Sequence, residues 1–134
     1  MLFQNLKAWD VYNNASTKEI QFVVFDQNQS LELTNVLNYP NPFINYTEFW
    51  FNHNSSGLLN VSIQIFTVSG KLVKTINTQT NTGNGVSSIS RDITWDGTDD
   101  YGNKIGKGVY IYKLKVKSTT TGLESEKIEK LVIL

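Results

Sequence analysis

The residues of this chain that are best suited to chemistry lie in one acidic loop. Between two apolar segments, the loop carries four oxygen-bearing side chains: Asp96, Asp99, Asp100 and Asn103. Oxygen ligands of this kind bind calcium, and neighbouring carboxylates can also serve as a general acid and base. The helix-loop calcium motif requires a glycine at its sixth position and an acidic residue at its twelfth. Counted from Asp96, those positions hold Tyr101 and Lys107, so the calcium motif fails.

The same loop has the composition of a tight turn. The Asp96–Gly97 and Tyr101–Asn103 segments place glycine and asparagine where turns favour them. Two adjacent carboxylates, Asp99 and Asp100, in an open polar loop lack the desolvation that prepares a carboxyl group for acid catalysis. We therefore predict a turn here, with no metal, no cofactor and no catalytic residue.

The chain offers few other residues for catalysis. It contains no cysteine and a single histidine, His53. The absence of cysteine excludes disulfides, thiolate zinc sites and cysteine nucleophiles, and a Ser–His–Asp triad would have to use His53. That histidine lies in a turn-like run of polar residues, which is a poor setting for a catalytic base. We predict that this chain is not an enzyme.

The charge balance excludes further classes of function. The 134 residues include 12 basic and 12 acidic side chains, so the formal net charge is zero. Such a balance lacks the positive field on which nucleic-acid binding depends, so we expect no nucleic-acid partner. No apolar run approaches the roughly 20 residues with which a helix spans a bilayer, so we expect no transmembrane segment.

The elements that must position all these residues are β-strands. β-Branched and aromatic residues are abundant, apolar residues alternate with polar ones, and no stretch has amphipathic helical periodicity. Seven strands are predicted, at residues 31–37, 46–53, 59–68, 71–77, 86–95, 108–117 and 123–134. Seven short strands over roughly a hundred residues, separated by turns rich in glycine and asparagine, are typical of an antiparallel β-sandwich.

Alternation along the strands predicts which side chains form the core. Phe49 and Phe51 point to one face, whereas Trp50 points to the other face beside Glu48. The same rule places two sets inside, namely Leu59, Val61, Ile63 and Ile65 in one strand and Tyr110, Tyr112, Leu114 and Val116 in another. Three lysines of the second strand, Lys113, Lys115 and Lys117, then share the other face with Val109 and Ile111.

The first 30 residues differ from the rest in organisation. Two predicted strands, at residues 6–11 and 20–25, would form a hairpin, and the polar segment 26–30 follows it. An isolated hairpin is marginally stable in water, so it needs a neighbour. We predict that residues 1–30 are a hairpin and linker from the end of a preceding domain, or added edge strands. Residues 31–134 would then form the sandwich domain.

Two features are candidates for partner binding. Trp50 is a large aromatic side chain on a polar strand face, where it could stack on a sugar, anchor a protein partner, or be covered by the N-terminal hairpin. The chain also ends on an apolar strand, with Lys130, Leu131, Val132, Ile133 and Leu134 as its last residues. Since most termini are polar and frayed, this strand is expected either to pair in the sheet or to bind a partner.

Four motifs occur in an order that resembles a known family. They are Tyr-Pro-Asn-Pro-Phe at 39–43, Val-Ser-Gly-Lys-Leu-Val at 68–73, Trp-Asp-Gly at 95–97 and Gly-Val-Tyr-Ile-Tyr-Lys-Leu at 108–114. This order resembles the immunoglobulin-like domain of flagellar hook-capping proteins and the C-terminal sorting domains of the bacterial type IX secretion system. The segments at 7–14, 46–53, 66–70 and 129–134 are more similar still to the C-terminal end of type IX sortases, which are gingipain-like cysteine proteases.

The resemblance implies an immunoglobulin-like β-sandwich with an anchoring function. It implies a non-catalytic domain that docks its parent sortase on a PorV-like outer-membrane β-barrel protein at the bacterial cell surface. The parent's catalytic domain, and any other upstream domain in contact with this one, would precede it in the chain. The resemblance carries no catalytic residue and no cofactor. The alternatives are a cleavable secretion signal of a type IX cargo protein, or a carbohydrate- or calcium-binding module using Trp50 and the acidic loop.

Overall fold

The structure is a computed structural model that describes residues 30–85 and 88–134. The hairpin and nearly all of the linker predicted for residues 1–30 lie outside the described residues, so the domain boundary stays a prediction. The described part is all-β and contains seven strands: β1 (Leu33–Tyr39), β2 (Thr47–His53), β3 (Leu59–Thr67), β4 (Leu72–Thr80), β5 (Ser90–Trp95), β6 (Gly108–Ser118) and β7 (Glu124–Ile133).

The strands form two antiparallel sheets. The three-stranded sheet has the order β1-β2-β5, and the four-stranded sheet has the order β4-β3-β6-β7. Both sheets contribute inward-facing side chains to one hydrophobic core, which is the arrangement of a β-sandwich. The prediction of an immunoglobulin-like antiparallel sandwich of about seven strands is confirmed.

The core follows the predicted alternation. Phe49 and Phe51 of β2 are fully buried, as are the predicted inward residues of β3. In β6 the buried side chains include Tyr112, whose ring meets Phe49 edge-on with the ring centroids 4.9 Å apart. Contacts between aromatic rings in this geometry stabilise the packing of one sheet on the other.

Neither outer strand of the four-stranded sheet has an entirely open edge. At β7, the backbone of Phe43 lies parallel to the strand, donating to Val132 O at 3.1 Å and accepting from Leu134 N at 2.9 Å. Asn41 extends this contact, because its Oδ1 accepts a 3.0 Å hydrogen bond from Val132 N. The proline-containing segment at 39–43, in which both X-Pro peptide bonds are cis, precedes β2 in the chain. It also closes part of a sheet edge, which the sequence did not indicate.

The loop between β4 and β5 packs against the end of β2. His53 N donates to Gly83 O at 2.9 Å, and Gly85 N donates to His53 O at 3.1 Å. Gly83 has a φ of +89°, and a Cβ atom there would lie 2.9 Å from Ser90 N and 3.0 Å from Phe51 O. Only glycine allows the backbone to approach this closely with a positive φ.

Candidate docking site

The acidic loop is held by hydrogen bonds within the chain. Asp99 Oδ1 accepts from the backbone N–H groups of Tyr101 and Asn103, both at 2.9 Å, as an aspartate does in a turn. Asp96 Oδ1 accepts a 2.6 Å hydrogen bond from Thr98 Oγ1, and this bond lowers the pKa of the Asp96 carboxyl. The predicted turn is therefore present, and its carboxylates already bind donors of the chain.

Asp100 has a role that the sequence did not suggest. Its Oδ1 accepts from Thr75 N at 3.1 Å, and its own N–H donates to Val73 O at 3.2 Å. The loop therefore forms hydrogen bonds with the outer edge of β4. Phe43 forms hydrogen bonds with the outer edge of β7 in the same way. Within residues 30–85 and 88–134, no three acidic or histidine side chains come together as metal ligands.

His53 has a structural role, because its side chain binds backbone groups of neighbouring segments. It is buried, its Nε2 lies 2.7 Å from Thr82 O, and its Nδ1 accepts from Ser55 N at 3.2 Å. Since the Thr82 carbonyl can only accept, Nε2 carries the proton. Both ring nitrogens are therefore bound to backbone groups, and neither faces a hydroxyl nucleophile.

Trp50 lies on the outer face of the three-stranded sheet, as the alternation predicted. Its Nε1 donates to Glu48 Oε1 at 2.9 Å. The Arg91 guanidinium lies 4.2 Å from the centroid of its ring, and the Tyr39 ring centroid lies 5.1 Å away. The indole is half-buried among these neighbours, so much of the surface that a sugar or partner would contact is already covered.

The last five residues fall into two groups. Leu131 and Ile133 point into the core, with 0% and 6% of their surfaces exposed, and Val132 is half-buried on the outer face. Lys130 and Leu134 are exposed. The terminal strand is therefore paired in the sheet, and only Lys130, Val132 and Leu134 have side chains available to a partner.

The outer face of the four-stranded sheet combines two kinds of surface. Lys113, Lys115 and Lys117 form a row along β6, beside an open groove of about 590 Å³ that Ser62 and Gln64 help to line. Next to this lysine row, strand register brings together a set of apolar side chains that we call the apolar outer patch: Phe66, Val109, Ile111, Ile128 and Val132. The outward direction of the lysines, Val109 and Ile111 was predicted. Their grouping with Phe66, Ile128 and Val132 was missed, because register between distant strands is not visible in the sequence.

The immunoglobulin-like sandwich is matched by a family model. The model of the FlgD Ig-like domain matches residues 53–122, just over half of the chain. This chain belongs to the FlgD Ig-like domain family. The matched range begins at the end of β2 and includes the acidic loop and all of β6, so those motifs are features of a family fold.

One solved structure extends the similarity. The FlgD Ig-like chain is 29% identical to a chain in the crystal structure of dimeric latent PorU from Porphyromonas gingivalis, with a TM-score of 0.65. The match covers 83% of this chain and 10% of that one, so this chain spans about a tenth of the PorU structure. No curated protein matches the chain. In the part of the chain that the structure describes, no helix is long and apolar enough to cross a membrane.

Proposed function

We propose that this chain is a non-catalytic docking domain of a type IX sortase that holds its parent protein on a PorV-like outer-membrane β-barrel protein. The observation that carries the proposal is the similarity to PorU, which extends over 83% of the chain. This similarity supports a type IX secretion context at the bacterial cell surface. Since the chain spans only 10% of the PorU structure, the proteolytic activity expected of such a parent belongs to a domain outside this chain.

The geometry supports a binding role over a chemical one. The carboxylates of Asp96, Asp99 and Asp100 accept hydrogen bonds from the chain itself, and both nitrogens of His53 are bound to backbone groups. The described residues instead form a rigid sandwich whose outer faces display exposed side chains. Surfaces of this kind bind other proteins through side chains presented by a fixed backbone.

Direct binding to the barrel protein tests the proposal. The 134-residue chain, immobilised, is titrated with a purified PorV-like protein in detergent micelles, with empty micelles as the control. We expect saturable binding of the barrel protein and none of the empty micelles. If the barrel protein does not bind at concentrations up to about 100 μM, corresponding to a binding free energy weaker than roughly −5.5 kcal/mol, the docking function is wrong.

The fate of the parent protein separates docking from a cleavable secretion signal. A docking domain stays on the parent, which therefore keeps its full mass on the cell surface. A sorting signal of a cargo protein is removed after export, so the surface form lacks these residues. Intact mass measurement of the surface protein, with an antibody to this domain as a second readout, decides between the two.

A further inference from the structure

The apolar outer patch lies on a sheet face whose other side chains in β3, β6 and β7 are polar or charged. On β6 and β7, Val109 pairs with Val132, and Ile111 pairs with Phe66 on the other side. Ile128 completes the patch and has 60% of its surface exposed. Because strands place alternate residues on the same face, these side chains share the outer face, where Lys130 lies between Ile128 and Val132. Clusters of exposed apolar side chains mark interaction sites in soluble proteins.

The lysine row borders this patch and gives the face a positive charge. Lys113 lies directly opposite Ile128 in the β6–β7 register, so the charged and apolar surfaces meet there. Four lysines face outward on this sheet, at 113, 115, 117 and 130, against two glutamates, at 124 and 126, which gives a formal charge of +2 on a face of a neutral chain.

The ion pairs on this face leave two lysines, Lys113 and Lys130, without a carboxylate partner among the described residues. Glu124 lies 3.2 Å from Lys115 and 3.9 Å from Lys117. No carboxylate of the described residues pairs with Lys113, the lysine at the border of the apolar outer patch. A partner would therefore meet an apolar surface with an unneutralised ammonium group beside it.

The other outer surfaces are less suited to docking. On the three-stranded sheet, Arg91 and Tyr39 already contact the face that carries Trp50. The edges of the four-stranded sheet are partly occupied, at β4 by Asp100 and at β7 by Phe43. The broad outer face of the four-stranded sheet remains as the described surface that combines apolar area, charge and a groove.

We infer that this face, centred on Ile128 and Lys113, is the docking surface for a folded protein partner with an apolar contact area flanked by carboxylates. Charge complementarity selects an acidic partner, and the apolar outer patch supplies the burial that stabilises the complex. Groove-lining amides such as that of Gln64 add hydrogen-bonding groups beside the charged and apolar surfaces. The inference rests on the proposed function and deepens it, because the barrel protein is expected to present the complementary surface.

Two substitutions on the face and one matched control test the inference. In the 134-residue chain, Ile128→Glu places a carboxylate in the patch and Lys113→Glu reverses the charge at its border. Lys127→Glu makes the same charge change in β7 but on the opposite face of the sheet. Each variant is titrated with the PorV-like protein in detergent micelles at about 0.15 M salt, where long-range attraction between exposed charges is screened.

We expect the two face variants to weaken binding at least about tenfold, and the control to change it less than about twofold. Failure of the wild-type chain to bind would contradict the proposed function itself. If the wild-type chain binds and both face variants bind like Lys127→Glu, the docking function stands and this surface is wrong. Equal binding to anionic vesicles without the barrel protein would also overturn the inference, because the partner would then be lipid.

Lysine acetylation footprinting of the wild-type complex needs no variant and so does not depend on how the variants fold. Binding at this face is expected to protect Lys113 and Lys115 from acetylation while Lys127 keeps its free-state reactivity. Unchanged reactivity at Lys113 in the saturated complex would overturn the inference, whatever the variants show.

Discussion

At the scale of single residues, the buried hydroxyl of Tyr112 is the least satisfied group in the described part of the chain. The side chain is fully buried, and its Oη has no hydrogen-bond partner there. Leaving a buried polar group unpaired costs about 1–3 kcal/mol. Tyr110, two residues earlier on the same face of β6, differs because its Oη donates to Gly106 O at 2.8 Å. The two tyrosines therefore form an internal comparison.

We expect Tyr112→Phe and Tyr110→Phe to change stability in opposite directions. Tyr112→Phe removes an unpaired hydroxyl without changing the ring, so it should raise the free energy of unfolding by about 1 kcal/mol. Tyr110→Phe removes a hydrogen bond and should lower it by about 1 kcal/mol. Urea denaturation of both variants at pH 7 measures the difference. A loss of stability in Tyr112→Phe equal to that in Tyr110→Phe would show that the hydroxyl is satisfied.

The same hydroxyl predicts a loss of stability in alkali. Burial raises the pKa of Tyr112 in the folded state, and the nearby Glu129 carboxylate raises it further. The folded protein therefore resists an ionisation that the unfolded chain undergoes near the ordinary tyrosine pKa of about 10. The stability that the protonated Tyr112 hydroxyl retains relative to the unfolded chain is fully present below about pH 10. It is lost as the pH rises above about 10 towards the folded-state pKa.

This pH dependence is measured as the difference in the free energy of unfolding between wild type and Tyr112→Phe from pH 8 to 11. We expect the stability advantage of the phenylalanine variant to grow above pH 10, because only the wild type loses stability through Tyr112. Taking the difference cancels the other five tyrosines, which both proteins share. A difference that does not change with pH would contradict the raised pKa.

At the scale of elements, the loop between β4 and β5 is fixed by one glycine. We expect Gly83→Ala to lower the free energy of unfolding by about 2–3 kcal/mol, because the new Cβ would meet the backbone of Phe51 and Ser90 in addition to the positive φ. Gly102→Ala is the control, since it has a similar φ of +86° but no atom within 4 Å of the added Cβ. Thermal unfolding compares the two, and equal losses would show that the close approach at Gly83 is easily relieved.

The strands themselves were predictable, and the contacts between distant elements were not. Alternation in β3 and β6 identifies their inward residues, because each strand has one face on the core and one in water. The covering of β4 by Asp100 and of β7 by Asn41 depends on pairs far apart in sequence, such as Asn41 and Val132, 91 residues apart. No local pattern indicates such pairs. The grouping of Val109 and Ile111 with the apolar residues of β3 and β7 was missed for the same reason, although each of these strands was predicted.

At the scale of the whole molecule, the terminal strand is part of the core as well as a candidate contact. Each large aliphatic side chain lost from a core lowers the free energy of unfolding by about 2–5 kcal/mol. The total free energy of unfolding of a domain is only about 5–15 kcal/mol. Deleting residues 131–134 removes the buried Leu131 and Ile133, so we expect the chain to lose cooperative unfolding and most near-ultraviolet circular dichroism. Deleting Leu134 alone removes an exposed side chain and one hydrogen bond, and should leave a folded protein.

This comparison also limits how the C-terminus can be tested for binding. Loss of binding after deletion of residues 130–134 would report unfolding as readily as loss of a contact, so substitution of the exposed Lys130 is the informative change. A shortened chain that keeps a cooperative transition would show that the last strand is dispensable to the sandwich.

The contact between Phe43 and β7 can form only after β7 has been synthesised. Phe43 is synthesised about ninety residues before Val132, the residue whose carbonyl accepts its N–H bond, and such distant contacts form late in folding. A chain still emerging from the ribosome has no β7 against which to place this segment. The domain therefore stays open to proteases until its final strand is released. Ribosome-arrested chains that stop before Lys130 should be cleaved readily by protease, whereas released chains that include residues 130–134 should resist cleavage.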